Sequence, residues 1–114
     1  MPHAVFEPAP ALEAFWRAFR PFKEVRPDGS VLEARASFLR ADGEMILIEC
    51  LVLELGPAQH FYVLCDRNGP RVTIRAEQFS PVARTDGVIE VVTRVARQFL
   101  ELGATVRTTN LALD

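Results

Sequence analysis

Apolar residues recur along this chain with two periods, and the switches between them mark its elements. Leu12, Phe15, Trp16 and Phe19 share one helical face, with Glu13, Arg17 and Arg20 on the other, which predicts a helix over residues 10–20. Pro8 and Pro10 suit its start and Pro21 its end. After the turn Arg26-Pro27-Asp28-Gly29 the period becomes that of a strand. Leu32, Ala34, Ala36 and Phe38 oppose Glu33, Arg35 and Ser37, a half-buried strand over residues 31–40. Three more strands are expected over 45–55, 60–66 and 71–77. The turns between them are Ala41-Asp42-Gly43, Gly56-Pro57-Ala58-Gln59 and Arg67-Asn68-Gly69-Pro70.

Residues 86–102 are rich in valine, which favours strand, but Glu90, Arg94, Arg97 and Glu101 recur at steps of three and four. The charges predict a helix that buries Val88, Val92, Val95, Phe99 and Leu102, capped by Thr85 or Asp86 and ended by Gly103. Residues 105–109 can add a short fifth strand. The expected fold class is α+β: a four-stranded antiparallel meander with an N-terminal and a C-terminal helix, ordered α-β-β-β-β-α, in a single domain over residues 1–114.

Loop lengths set the registers. A three-residue Ala41-Asp42-Gly43 loop places Glu49 beside Ser37 and Arg35, away from the apolar side, because burying a lone carboxylate is costly. Four-residue loops complete the sheet. Pro70 argues for the longer last loop, since a two-residue loop would need its missing N–H. One face then holds Leu32, Ala34, Ala36, Phe38, Ile46, Ile48, Cys50, Val52, Phe61, Val63, Cys65, Val72, Ile74 and Ala76. The small row Ala36, Cys50 and Cys65 leaves room for Trp16, Phe19 or Phe99 from a helix.

The second face has an apolar centre of Met45, Leu47, Leu51, Leu53, Tyr62 and Leu64. Its margins carry Glu33, Arg35, Glu49, His60, Asp66, Arg71, Arg75 and Glu77. Two helices cover only one face of such a sheet. An apolar centre with a polar rim, left open, is the pattern of an interface. The alternative is that the C-terminal helix or tail folds over this face.

Length and composition narrow the function classes. A chain of 114 residues can bury a core without disulfide or metal support. The net charge of -2 removes the uniform attraction that drives most nucleic-acid binding. The N-terminal residues lack a basic segment followed by an apolar run, and no stretch reaches transmembrane length, so a cytoplasmic protein with two reduced cysteines is expected.

Chemical motifs are few. The chain contains no CxxC, HExxH, phosphate loop, GxGxxG or GxSxG, so no metal or cofactor is expected and non-enzyme readings come first. The register sets Cys50 opposite Cys65, a thiol pair or two small core residues. It sets His60 opposite Glu77, half of a general-base arrangement, and Asp66 opposite Arg71. Glu49 and Asp66 become neighbours, with Arg35 and Arg71 close enough to neutralise them. The aromatic cluster Phe15, Trp16, Phe19 and Phe22 reads as core. The order of four strands and a helix, with Val72 to Val82 leading into it, is similar to Whirly-type single-stranded-DNA-binding proteins. That resemblance implies a basic, aromatic sheet face. Here Arg35, Arg71, Arg75 and Tyr62 share the face with Glu33, Glu49 and Asp66, which makes nucleic acid a poor fit.

The function expected is a homodimeric interaction module. Leu47, Leu51, Leu53, Tyr62 and Leu64 are its apolar anchors, and Arg35, Glu49 and Arg75 set the register. The second expectation is a small-ligand-binding protein whose apolar pocket uses Arg35 or Arg75 to hold an anionic group.

Overall fold

The computed structural model describes residues 2–77 and 82–113. Its elements are β1 (His3–Phe6), α1 (Leu12–Ala18), β2 (Phe22–Val25), β3 (Val31–Leu39), β4 (Met45–Leu53), β5 (Gln59–Asn68), β6 (Arg71–Glu77), α2 (Asp86–Glu101) and β7 (Val106–Thr109). The strands form one seven-stranded sheet in the order β2-β3-β4-β5-β6-β1-β7, and every pairing is antiparallel. The sheet curls into a half-barrel.

This corrects the four-stranded meander. The meander is present as β3 to β6, but it is the middle of a wider sheet. β1, β2 and β7 are each 4 residues long, too short for a periodic pattern to register. β1 and β7 owe their place to partners far away in the chain, since β1 lies between β6 and β7. β2 folds back on β3 through a turn that its own residues close. Arg26 N–H donates to the Ser30 carbonyl at 2.8 Å, and Asp28 Oδ1 accepts from Ser30 N and Oγ at 2.9 and 2.6 Å. Gly29 supplies the positive φ that the turn needs.

Both helices pack on one face. Leu12 and Phe15 of α1 join Val88, Val92, Val95 and Phe99 of α2 in one core with Leu32, Ile46, Ile48, Val63 and Ile74 of the sheet. Phe99 stacks on Phe15 and on Phe6, with ring centroids 3.7 and 5.6 Å apart. Phe15 and Phe99 are fully buried in this core. Trp16 is not: it sits at the rim, partly exposed, and its indole N–H donates to the Ser37 carbonyl at 3.2 Å. α2 starts as expected, with Thr85 Oγ1 accepting from Val88 N–H at 3.3 Å. Leu102 falls outside the helix and is exposed rather than buried.

The registers differ from expectation at all three hairpins. Ala34 pairs with Cys50 but Ser37 with Ile48, so Arg35 and Ala36 together face Glu49 in a β-bulge. The extra residue reverses the faces beyond it, so Leu39 turns toward the core and Phe38 turns out, 56 % exposed, beside Leu47. The β4–β5 loop is longer than expected: Val52 pairs with Gln59, Cys50 with Phe61 and Cys65 with Ile46. The cysteines are therefore not opposite one another. At the β5–β6 turn Asn68 pairs with Arg71, leaving a two-residue loop of Gly69-Pro70. Pro70 lies within the loop, where no ladder bond needs its N–H, and Gly69 takes the positive φ.

Candidate interaction face

The second face is built outward from β4. Alternation along β4 turns Met45, Leu47, Glu49, Leu51 and Leu53 away from the core, while Ile46, Ile48, Cys50 and Val52 are buried. Cross-strand pairing then assembles rows. Leu47 lies between Phe38 and Leu64, and Leu64 is beside Arg75. Glu49 lies between the Arg35 bulge and Tyr62, with Glu77 next to Tyr62. Leu51 lies between Glu33 and His60, and Leu53 beside Val31, which in turn pairs with Val25 of β2. All eight expected site residues, Arg35, Leu47, Glu49, Leu51, Leu53, Tyr62, Leu64 and Arg75, are thus on this one face.

Their arrangement differs from a simple apolar centre. The row Arg35–Glu49–Tyr62–Glu77 crosses all four central strands as a polar belt. Apolar residues flank it on both sides: Phe38, Leu47 and Leu64 on one, Leu51, Leu53, Val31 and Val25 on the other. Leu64 is only 5 % exposed, so it supports its neighbours rather than offering contact area. Phe38 and Val25 add apolar surface that the alternation did not assign to this face, and Val31 extends the Glu33 and Arg35 side of β3 onto it. The bulge hides Phe38, and β2 carries too short a signal.

Neither α2 nor the tail covers this face. α2 buries its stripe in the core, and the tail joins the sheet edge as β7.

Two arginines of the face pair along their own strands. Arg35 Nε donates to Glu33 Oε1 at 2.9 Å, and Arg75 lies 3.5 Å from Glu77. Glu33 and, more weakly, Glu49 stabilise the Arg35 guanidinium, which raises its pKa. The expected Asp66–Arg71 and His60–Glu77 pairs do not form. Asp66 is opposite Thr73, and Arg71 instead donates to Glu7, just past β1, at 3.1 Å. His60 is opposite Leu51, and Glu77 opposite Tyr62. Glu49 and Asp66 are likewise separated, since Glu49 pairs with Tyr62 and Asp66 with Met45. The half-site for a general base is absent at His60.

A hollow of about 740 Å³ lies elsewhere, among the β2–β3 turn, the β4–β5 loop and the start of α2. Several of its polar groups are bonded within the fold. Asp28 holds Ser30, Gln59 Oε1 accepts from Ala83 N–H at 2.7 Å, and Glu54 Oε2 accepts from Gly87 N–H at 3.1 Å. Arg35 and Arg75 do not line it. A shallower hollow between β2 and α2 contains Arg20, Arg94 and Arg97. Arg20 is bonded to Glu101 at 2.6 Å, and Arg94 to both Glu90 and Glu24. No group of three or more His, Cys, Asp or Glu side chains is placed to hold a metal ion among the described residues. No helix among them is long and apolar enough to cross a membrane.

Likeness to known proteins supplies no identity: no family model matches this chain, and neither a curated protein nor a solved structure is similar to it.

Proposed function

We propose that this protein is a homodimeric interaction module that pairs through the second sheet face. The observation carrying this reading is one-sided cover: both helices pack on the core face, while Phe38, Leu47, Leu51 and Leu53 share the other. Apolar surface gathered on one side of a sheet is costly to leave in water and rewarding to bury against a partner. A second copy suits it because the face carries both signs of charge. Leu47, Leu51, Leu53 and Tyr62 are the anchors, with Leu64 beneath them, and Arg35, Glu49 and Arg75 fix the alignment.

Sedimentation and native mass spectrometry test this directly. A dimer is expected for the wild type, weakened about thirtyfold or more in Leu51→Asp, the usual loss at an interface anchor. Leu51 is half-buried, so Phe38→Ser, at a more exposed position, serves as a second variant that spares the fold. Wild-type protein that stays monomeric, or a Leu51→Asp dimer as tight as wild type, sinks the reading.

A further inference from the structure

The polar belt indicates how two copies would meet. It runs Arg35 on β3, Glu49 on β4, Tyr62 on β5 and Glu77 on β6, so its positive end and one negative end lie three strand spacings apart. That is about 14 Å, too far for Arg35 and Glu77 to pair within one chain. Each is held instead by a neighbour on its own strand, Glu33 or Arg75.

Two simple two-fold axes can stack this face on a copy of itself, since an isologous contact uses the same patch twice. An axis across the strands, along the belt, sets Arg35 on Arg35, Glu49 on Glu49 and Glu77 on Glu77. Like charges directly opposed are costly. An axis parallel to the strands, between β4 and β5, exchanges β3 with β6 and β4 with β5. Arg35 then meets Glu77, and Glu49 meets Tyr62 rather than another carboxylate. In the next row the outward Phe38 ring meets the Arg75 guanidinium, a cation–π arrangement. Strands of the two sheets then run nearly aligned, one of the two common ways for sheets to pack.

We infer that the dimer's two-fold axis runs parallel to the strands between β4 and β5, with Arg35 of each copy facing Glu77 of the other. This rests on the homodimer reading above. It gives the bulge a function, because the bulge is what turns Phe38 onto this face, level with Leu47.

Two reversal variants test it, Arg35→Glu and Glu77→Arg, each purified separately and then mixed. Alone, each sets like charges together at both ends of the belt and should dimerise about tenfold more weakly than wild type. Mixed, one copy brings Glu at both positions and the other Arg at both, so both contacts are opposite in sign. Native mass spectrometry of the equimolar mixture should show the heterodimer in clear excess over either homodimer. Damage inside one chain cannot produce that rescue. A dimeric wild type whose variants mix only statistically overturns the axis but leaves the interface reading standing. A monomeric wild type overturns both.

Discussion

Single residues show how burial decides reactivity here. Cys50 and Cys65 are both free and buried. Burial pushes the Cys50 thiol up to about 12, and Cys65 is raised as well, again by loss of solvent. Cys50 Sγ donates to the Ile48 carbonyl at 3.4 Å, a local contact within its own strand. Of the two readings of these cysteines, small core residues describes them. Both should resist a thiol reagent at neutral pH until the protein unfolds, and fast labelling of native protein would contradict this. Gly87 is constrained by space instead. A β-carbon there would lie 2.8 Å from Glu54 Cδ and from Val52 Cγ1. Gly87→Ala should therefore destabilise the fold by about 1–3 kcal/mol, seen as a lower urea midpoint. Nothing in the sequence around Gly87 foretells this, because the clash is with β4 and its end.

Among the elements, the β3 bulge matters most. Alternation in Leu32 to Phe38 is legible and correct up to Ala34. Beyond it, one inserted residue reverses every side chain, and a strand's own sequence does not reveal how many residues its partner sets against it. Phe38→Ser should then cost under about 1 kcal/mol in the monomer, whereas Leu39→Ser should cost clearly more, since Leu39 packs against the core. A larger loss at Phe38 than at Leu39, measured by chemical denaturation, would argue for an unbroken strand. The long helix was legible because charges at steps of three and four outweighed valine's preference for strands. The short strands were not. Four-residue segments such as Phe22–Val25 hold their shape only through their neighbours.

At the scale of the whole molecule, arginine–carboxylate contacts link neighbouring strands, and one strand to a helix. Glu7 of the β1 end accepts from Arg107 and from Arg71, linking three strands, and Glu24 of β2 accepts from Arg94 of α2. Arg107 foremost, with Arg71, holds the Glu7 carboxyl below its ordinary 4.5, and Arg94 does the same for Glu24. Asp28 and Asp42 are lowered from 3.8 by bonds from Ser30 and Arg40. A carboxylate with a lowered folded pKa adds stability above its unfolded pKa and loses it as pH falls through the folded value. The melting temperature should hold from neutral pH to about pH 4.5 and then decline. Glu7→Gln should soften that decline. A melting temperature that rises on acidification would refute the assignment. These groups are exposed, so the effect should also shrink in high salt.

Local order made part of this protein readable: the long helix and its cap, the phase of β4, β5 and β6, the glycines of the turns, and the placing of eight residues on one side of the sheet. Each follows from neighbours within a few positions, where periodicity and turn chemistry act. Tertiary structure alone settled the seven-stranded order, the bulge, the strand registers and the side on which both helices pack. Those depend on pairings between distant segments, such as β1 with β6 and β7, whose energy lies in the contact and not in either segment.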